Sequence, residues 1–398
     1  LVTEGLDGAA TIRVFSQEAT FVDKFVSRMD DNASAMLNYL GAHRWLGILL
    51  EACGASVSLV ASLLIIVYND TFRIPAGIAA LLIIWTTNFT ITLSFLIDCT
   101  NESEAAITSV ERISAMALLP QESAMITSRQ YQVDSNWPQN GNVEFKNVCL
   151  RYREGLPLAL NNLSFRVKAG KRCGIVGRTG AGKSSLTAAL FRLVELESGQ
   201  ILLDDVDLSK LGLAEVRGKP NGMSLIPQDP VLFAGTLRDC IDPTSKANET
   251  EIFEALRSVR LVKQSDSIDD VLSIPIEEGG ENFSVGERQL LCLARAIVSK
   301  PRLLVLDEAT VSVDSETDTF IQSMLRTRFE GTTLLTIAHR LNTIMDYDEI
   351  LVIDGGKAVE FGPPVVLLES RTIFSELVDA TGKESSSNLR KMAKEASK

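Results

Sequence analysis

The chain has 398 residues, of which 45% are hydrophobic and 23% charged, and its formal net charge is −12. This acidic balance argues against binding to nucleic acid, because affinity for the phosphate backbone comes from clustered Lys and Arg side chains. The six cysteines are scattered without a CxxC pair, which argues against a metal cluster and against a disulfide framework. The length allows two or three structural units.

Two long apolar runs lie in the N-terminal third, at residues 46–68 and 74–97. A helix of about 20 apolar residues crosses about 30 Å of hydrocarbon, so both runs are predicted to span a bilayer as a hairpin with a loop at 69–73. The alternative is a pair of buried helices in a large soluble core. Basic residues such as Arg13 and Arg44 precede the first run, so we expect both ends of the hairpin to be cytoplasmic.

The second apolar run contains a polar stretch. Hydroxyl and amide groups at this depth face a substrate pathway or bond to neighbouring helices, and the sequence leaves both open. The polar residues are Thr86, Asn88, Thr90, Thr92 and Ser94.

Beyond the second run, residues 99–140 are polar and are predicted to form a linker that leaves the membrane. In residues 141–380, strand-like runs alternate with helical stretches, which predicts an α/β domain. The strand-like runs are 143–145, 201–203, 303–306, 333–337 and 350–353. Residues 381–398 are polar and Lys-rich, and we expect a disordered or fraying tail. The chain opens at Leu1 without a methionine, so we expect it to be the C-terminal portion of a longer polypeptide.

A glycine-rich loop follows the apolar run 173–176 and leads into a helix-like stretch that begins at Ser184. In that context the loop predicts a phosphate cradle: its N–H groups and the helix N-terminus face the phosphates, and its lysine neutralises them. A serine hydroxyl at its end suits Mg²⁺. The residues that match G-x-x-x-x-G-K-[ST] are Gly177, Arg178, Thr179, Gly180, Ala181, Gly182, Lys183 and Ser184.

Two carboxylates end the apolar run 303–306. Asp307 is the predicted Mg²⁺ partner, because a hard cation that bridges phosphates binds carboxylate oxygens. Glu308 is the predicted general base for the attacking water. An Asp-Glu pair after a strand is a weak signal by itself, and the upstream phosphate loop is what gives it meaning.

The segment Phe283 to Gln289 places a serine and a glycine at the start of a helix-like stretch, and such a start suits an anion. It resembles the LSGGQ signature of ABC proteins, in which the signature contacts the nucleotide of the opposite domain. The resemblance implies that role for Ser284, Val285, Gly286 and Glu287. Here valine and glutamate replace a glycine and the glutamine, as expected for the poorly hydrolysing site of the pair.

The resemblance extends along the domain and implies further roles. Tyr152 resembles the aromatic residue that stacks on adenine, and Gln228 the Q-loop residue that contacts nucleotide, Mg²⁺ and the attacking water. Residues 312–314 resemble the D-loop, and His339 the switch histidine that senses γ-phosphate. The resemblance therefore implies a catalytic group that comprises Glu308, His339, Gln228 and Lys183, nucleotide contacts that include Ser185, and Mg²⁺ contacts from Ser184, Gln228 and Asp307.

Longer stretches such as GRTGAGKSSL and TIAHRLNTIMD resemble the second nucleotide-binding domain of the multidrug-resistance-associated (C) subfamily. Residues 5–15 resemble the cytoplasmic extension before that family's last two membrane helices. Two departures from that family stand out. The segment around 220–222 is longer than usual, which is explained by a true insertion or by a gene-model error. Asp98 stands where several members carry a cation. That aspartate counts against transport of anions.

The sequence thus predicts an ABC-type P-loop NTPase domain preceded by an α-helical transmembrane hairpin with a cytoplasmic extension. The implied function is ATP hydrolysis coupled to export of organic anions, conjugates or xenobiotics across a membrane, either the plasma membrane or the vacuolar membrane. The implied cofactors are ATP and Mg²⁺. The implied partners are the first nucleotide-binding domain, the remaining membrane helices, the bilayer and a small-molecule substrate. A channel or channel regulator of the same subfamily, and a soluble ABC ATPase, are the alternatives.

Overall fold

A computed structural model describes residues 2–72, 75–134, 136–219, 221–263, 265–307, 315–338, 340–369 and 372–396. The chain divides into two units, Leu1–Gln121 and Glu122–Lys398. This division falls within the predicted linker, residues 99–140, and the later part of that linker belongs to the second unit. There the indole of Trp137 donates to the carbonyl of Leu203 at 3.1 Å.

The first unit is helical. Two short helices precede two long ones that pack against each other, and both long helices are apolar and long enough to cross a membrane, with none of their most apolar windows buried. The long helices continue beyond the predicted spans, because polar residues end a membrane crossing without ending a helix. The bounds are α1 Val2–Asp7, α2 Ala9–Val14, α3 Glu18–Phe72 and α4 Ala76–Ala117.

Several threonine hydroxyls in the described part of α4 bond within their own helix. Thr86 and Thr87 both donate to the carbonyl of Ile83, and Thr92 donates to that of Asn88 at 2.9 Å. These hydroxyls are therefore satisfied without a neighbouring helix. Asp98 lies 3.3 Å from His43 of α3, measured from carboxylate oxygen to imidazole Nε2, so a histidine stands beside the aspartate that departs from the family pattern.

The second unit contains two main sheets, and all five predicted strand runs fall within observed strands. One sheet is antiparallel, in the order β2-β1-β4-β5, and the other has the order β12-β11-β3-β10-β9-β6 with its central strands parallel. A two-stranded sheet pairs β7 with β8. The strands are β1 Val143–Leu150, β2 Leu160–Val167, β3 Arg172–Val176, β4 Ser198–Leu203, β5 Val206–Asp207, β6 Met223–Ile226, β7 Gly235–Thr236, β8 Pro275–Ile276, β9 Leu303–Asp307, β10 Thr333–Ile337, β11 Glu349–Asp354 and β12 Lys357–Gly362.

Helices cover the second sheet, and three apolar clusters hold the unit together. β9 and β10 contribute alternate residues to different clusters, because successive side chains of a strand face opposite sides of the sheet. The helices are α5 Lys183–Leu190, α6 Leu213–Gly218, α7 Leu237–Ile241, α8 Glu249–Ser258, α9 Ile268–Leu272, α10 Val285–Ser299, α11 Ser315–Arg328, α12 Pro364–Glu369, α13 Ile373–Asp379 and α14 Lys383–Ala396.

The prediction of a disordered tail was wrong. Residues 383–396 form α14, and Leu389 and Ala393 are buried in a cluster that also contains Val176 and Ala338. Arg390 anchors the helix by donating to the carbonyl of Leu368 at 2.9 Å. The polar composition concealed an apolar face whose members are four residues apart, one helical turn.

Candidate functional site

Three of the predicted motifs lie at the carboxyl ends of β3, β9 and β6. In the parallel part of the sheet the strand order is β3, β10, β9, β6. The glycine-rich loop follows β3, Asp307 ends β9 beside Ile337 of β10, and Gln228 lies two residues beyond β6. Because the carboxyl ends of parallel strands share one edge, the fold brings these motifs together at the edge where α/β sheets bind ligands.

The glycine-rich loop is shaped by close backbone contacts. A Cβ at Gly177 would overlap the carbonyl oxygen of Ile353, and a Cβ at Gly182 would lie 2.7 Å from the carbonyl oxygen of Ala159. Gly182 also has φ +106, which disfavours residues with a side chain. Gly180, at φ +81, faces open space. The loop therefore packs against the fold at Gly177 and Gly182 and is open at Gly180.

Lys183 begins α5 and reaches back over the loop. Its ammonium donates to the carbonyls of Gly177 at 2.9 Å and Arg178 at 3.2 Å, and its side chain is only 6% exposed. Both acceptors are neutral carbonyls, so neither of these bonds pairs the lysine with a carboxylate. Arg178, Thr179 and Ser184 are exposed along the same loop.

The Tyr152 hydroxyl lies 3.0 Å from the Ser185 hydroxyl. Ser185 is buried in the first turn of α5, whereas Tyr152 is half exposed. The hydrogen bond therefore places the phenol ring beside the phosphate loop and leaves part of it accessible. This geometry suits a ring that stacks on a base whose phosphates occupy the loop.

The predicted donor set for a cation is the Ser184 hydroxyl, the Asp307 carboxylate and the side-chain amide oxygen of Gln228. Among the described residues no group of three or more His, Cys, Asp or Glu could hold a metal by itself. Mg²⁺ commonly binds one or two carboxylates together with substrate phosphates, so this sparse set fits Mg²⁺ that arrives with a nucleotide. The other predicted groups, Glu308, residues 312–314 and His339, lie outside the described residues.

A buried glutamine that sequence reasoning missed joins two of the motifs. Gln289 of α10 is 2% exposed, and its side-chain amide donates to the backbone carbonyl of Gln228 at 2.8 Å. Because α10 begins at the signature, this bond ties the signature helix to the segment that carries Gln228. Its position four residues after a helix start gave no sequence signal for the contact.

The signature forms a closed hydrogen-bonded cap. Ser284 precedes α10, its backbone N–H and hydroxyl both donate to Glu287 Oε2 at 2.8 Å, and its Oγ accepts from the N–H of Glu287 at 3.3 Å. This reciprocal arrangement is a capping box. The glutamate that departs from the family pattern therefore places its own carboxylate on the serine.

Burial also determines the state of a thiol next to the site. Cys173 lies within β3, the strand that leads into the phosphate loop, and burial raises the pKa of its thiol. The thiol consequently remains protonated at neutral pH and acts as a core side chain.

Comparisons with known proteins point to one family. Residues 160–311 match the model of the "ABC transporter" family. The chain is 40% identical over 382 residues to ATP-binding cassette sub-family C member 2 of Rattus norvegicus, which covers 96% of the chain and 24% of that protein. It is 42% identical over 381 residues to the metal resistance protein YCF1 of Saccharomyces cerevisiae, which covers 95% of the chain and 25% of that protein.

The chain contains an ABC transporter domain. Its relatives are members of sub-family C, and the domain implies that it binds ATP. A solved structure of a bacterial Atm1-family ABC exporter with ATP bound superposes with a TM-score of 0.80 at 25% identity, and covers 96% of this chain and 66% of that one. The chain spans about a quarter of the length of its curated relatives, 24% and 25% in the two cases above.

Proposed function

We propose that this chain is the second nucleotide-binding domain, with the last two membrane helices, of a sub-family C exporter that couples ATP hydrolysis to export of organic anions, conjugates or xenobiotics. The observation that carries the proposal is the ammonium of Lys183, which rests on the carbonyls of an otherwise open glycine loop at the edge shared with Asp307 and Gln228. The sequence similarity to sub-family C extends over 96% of the chain, including both apolar helices.

Each residue of the site has a proposed task. Lys183 and the loop N–H groups hold the phosphates, and Tyr152 holds the base. Ser184, Asp307 and Gln228 would hold Mg²⁺, which would supply positive charge at the phosphates. Glu308 accepts the proton of the attacking water, and His339 contacts the γ-phosphate.

The site is completed by a partner domain. The signature that closes over this chain's nucleotide comes from the first nucleotide-binding domain, and residues 284–287 close over the partner's nucleotide. ATP binding would draw the two domains together and hydrolysis would release them, which drives a rigid-body switch. The protein is an integral membrane protein with its ATPase domain in the cytoplasm, and fractionation of plasma and vacuolar membranes decides between the two locations.

The test is uptake of S-(2,4-dinitrophenyl)glutathione into inside-out vesicles that carry the full-length protein. We expect ATP-dependent uptake by the wild type, and a loss of at least about a hundredfold in hydrolysis and uptake in Glu308→Gln, because a general base contributes about 10² to 10⁴ in rate. The matched control is Glu281→Gln, an exposed acid before the signature. ATP hydrolysis without uptake would reject the anion substrate, and full hydrolysis by Glu308→Gln would reject the assigned base.

A further inference from the structure

The linker segment, residues 122–127, lies across the first turn of α6. The backbone N–H of Gly212 donates to Thr127 Oγ1 at 2.7 Å, and the N–H groups of Leu213 and Ala214 donate to linker carbonyls at 3.1 and 3.0 Å. The first N–H groups of a helix have no partner within it, and a side chain usually caps them. Gly212, the residue before α6, offers no side-chain cap, so the linker segment itself caps this helix.

The fit between the linker segment and α6 requires a glycine. A Cβ at Gly212 would lie 2.5 Å from both the carbonyl carbon of Ile126 and the carbonyl oxygen of Met125. The backbone of Gly212 has φ −71, a conformation that any residue adopts. The close approach of the linker, rather than backbone strain, is therefore what excludes a side chain here.

A charged contact fixes the other end of the linker segment. Arg217 of α6 donates to both carboxylate oxygens of Glu122 at 2.8 and 3.1 Å. These bonds lower the pKa of Glu122. Arg217 Nε also donates to the carbonyl of Phe191, the residue that follows α5, at 2.8 Å. One guanidinium thus joins the linker segment, α6 and the helix that begins at Lys183.

We infer that the linker segment and α6 form one rigid tie that positions Gln228. The linker segment follows α4 closely in the chain, and α6 precedes β6, which ends two residues before Gln228. Movement of α4 is transmitted through this tie to Gln228, in addition to any path through cytoplasmic loops. Gly212, Thr127 and Glu122 are positioning residues, and the inference rests on the proposed coupling of hydrolysis to transport.

The decisive variant is Gly212→Ser in the full-length protein. Serine is a favourable residue before a helix, so α6 keeps a cap in this variant. The serine side chain at the same time displaces the linker segment. We expect the amount of glutathione conjugate transported per ATP hydrolysed to fall about tenfold, a typical coupling between sites, with the KM for ATP unchanged. Gly218→Ser is the matched control, because Gly218 ends the same helix and a Cβ there meets nothing within 4 Å.

A second variant distinguishes a rigid tie from one that must open. Met125 and Ala214 are exposed and share a backbone hydrogen bond of 3.0 Å. In Met125→Cys/Ala214→Cys, a short bis-methanethiosulfonate reagent forms a disulfide with each cysteine, releases methanesulfinate from each end and so holds the linker segment in place. We expect coupling to remain at the wild-type value, and a reducing agent cleaves the link. Loss of coupling on cross-linking, with recovery when the link is cleaved, would overturn the inference.

A readout that needs no transported substrate separates this inference from the proposed function. Cys99 lies on α4 and is partly buried. The experiment uses a full-length protein in which Cys99 is the single cysteine, and measures the rate at which maleimide labels it. We expect ATP with vanadate to change this rate. We expect Gly212→Ser to abolish the change. Absence of conjugate uptake would reject the proposed function alone. Equal behaviour of Gly212→Ser and wild type, or no nucleotide effect in the wild type, would overturn the inference.

Discussion

The side-chain amide of Gln289 donates a 2.8 Å hydrogen bond to the carbonyl of Gln228 and so joins the signature helix to the segment after β6. We expect Gln289→Leu to slow ATP hydrolysis about fivefold, since a hydrogen bond of this kind contributes about 1 kcal/mol. The affinity for nucleotide should change little, because the Gln289 side chain is buried and is not expected to touch the nucleotide. Steady-state ATPase assays test this, with Gln322→Leu of α11 as the control. An unchanged rate would show that the bond does not position Gln228.

The ring and the hydroxyl of Tyr152, which lies 3.0 Å from the Ser185 hydroxyl, are expected to contribute unequally to ATP binding. If the ring stacks on adenine, Tyr152→Ala weakens ATP binding by about 1–3 kcal/mol, the usual contribution of one stacked base. Tyr152→Phe keeps the ring and loses at most about 1 kcal/mol. Inorganic triphosphate should bind both variants like the wild type, and competition assays measure this. Equal weakening of triphosphate binding would place Tyr152 at the phosphates instead.

The carboxylate of Glu287 on Ser284 predicts two opposite effects of Glu287→Gln. An anion near a helix N-terminus stabilises the helix by about 0.3–1 kcal/mol, so the variant should unfold at a slightly lower temperature. Under the proposed function the carboxylate faces the γ-phosphate of the partner's ATP and repels it, so removal of the charge should also lengthen the retention of that ATP severalfold. Glu281→Gln is the control. Faster loss of ATP from the variant would contradict this role.

The docking of α14 should depend on pH through Asp379. Hydrogen bonds from Arg390 and then Ser386 lower the pKa of Asp379. Because the pKa in the folded state is below the ordinary value near 4, this stabilisation is present above about pH 4 and is lost as the pH falls through the lowered pKa. Arg390→Gln should loosen the packing of α14 even at neutral pH. We expect the backbone amides of α14 to exchange their hydrogens faster in this variant than in the wild type. Lys391→Gln is the control, and equal exchange in both variants would refute the anchor.

Motifs that act through local backbone shape could be predicted from the sequence. The glycine loop, its flanking strand and helix, and the Asp307 strand end all depend on residues close together in the chain, and the structure has them in that form. The strands were predicted too short, because pairing partners extend a strand beyond its most apolar residues. β1, for example, continues to Leu150 against β2 and β4.

Contacts between distant segments could not be predicted in this way. The bond of Gln289 to Gln228 and the contact of Gly212 with the linker segment join residues more than 60 positions apart. No periodicity marks such a pair, because it depends on how elements pack rather than on local preference. Polar composition led to two inaccurate predictions. The polar residues after 97 were predicted to be a linker, whereas α4 continues to Ala117. The polar residues after 380 were predicted to be a tail, whereas they form α14 with an apolar face.

The position of α14 decides where this protein can carry a reporter group. Leu389 and Ala393 share a cluster with Val176, directly before the phosphate loop, and with Ala338. A fluorescent tag that replaces the chain from Lys383 onward would uncover that cluster and report on a disturbed nucleotide site. A tag joined after Ala396 through a flexible spacer leaves the cluster covered, so it is the appropriate choice for localisation and trafficking work.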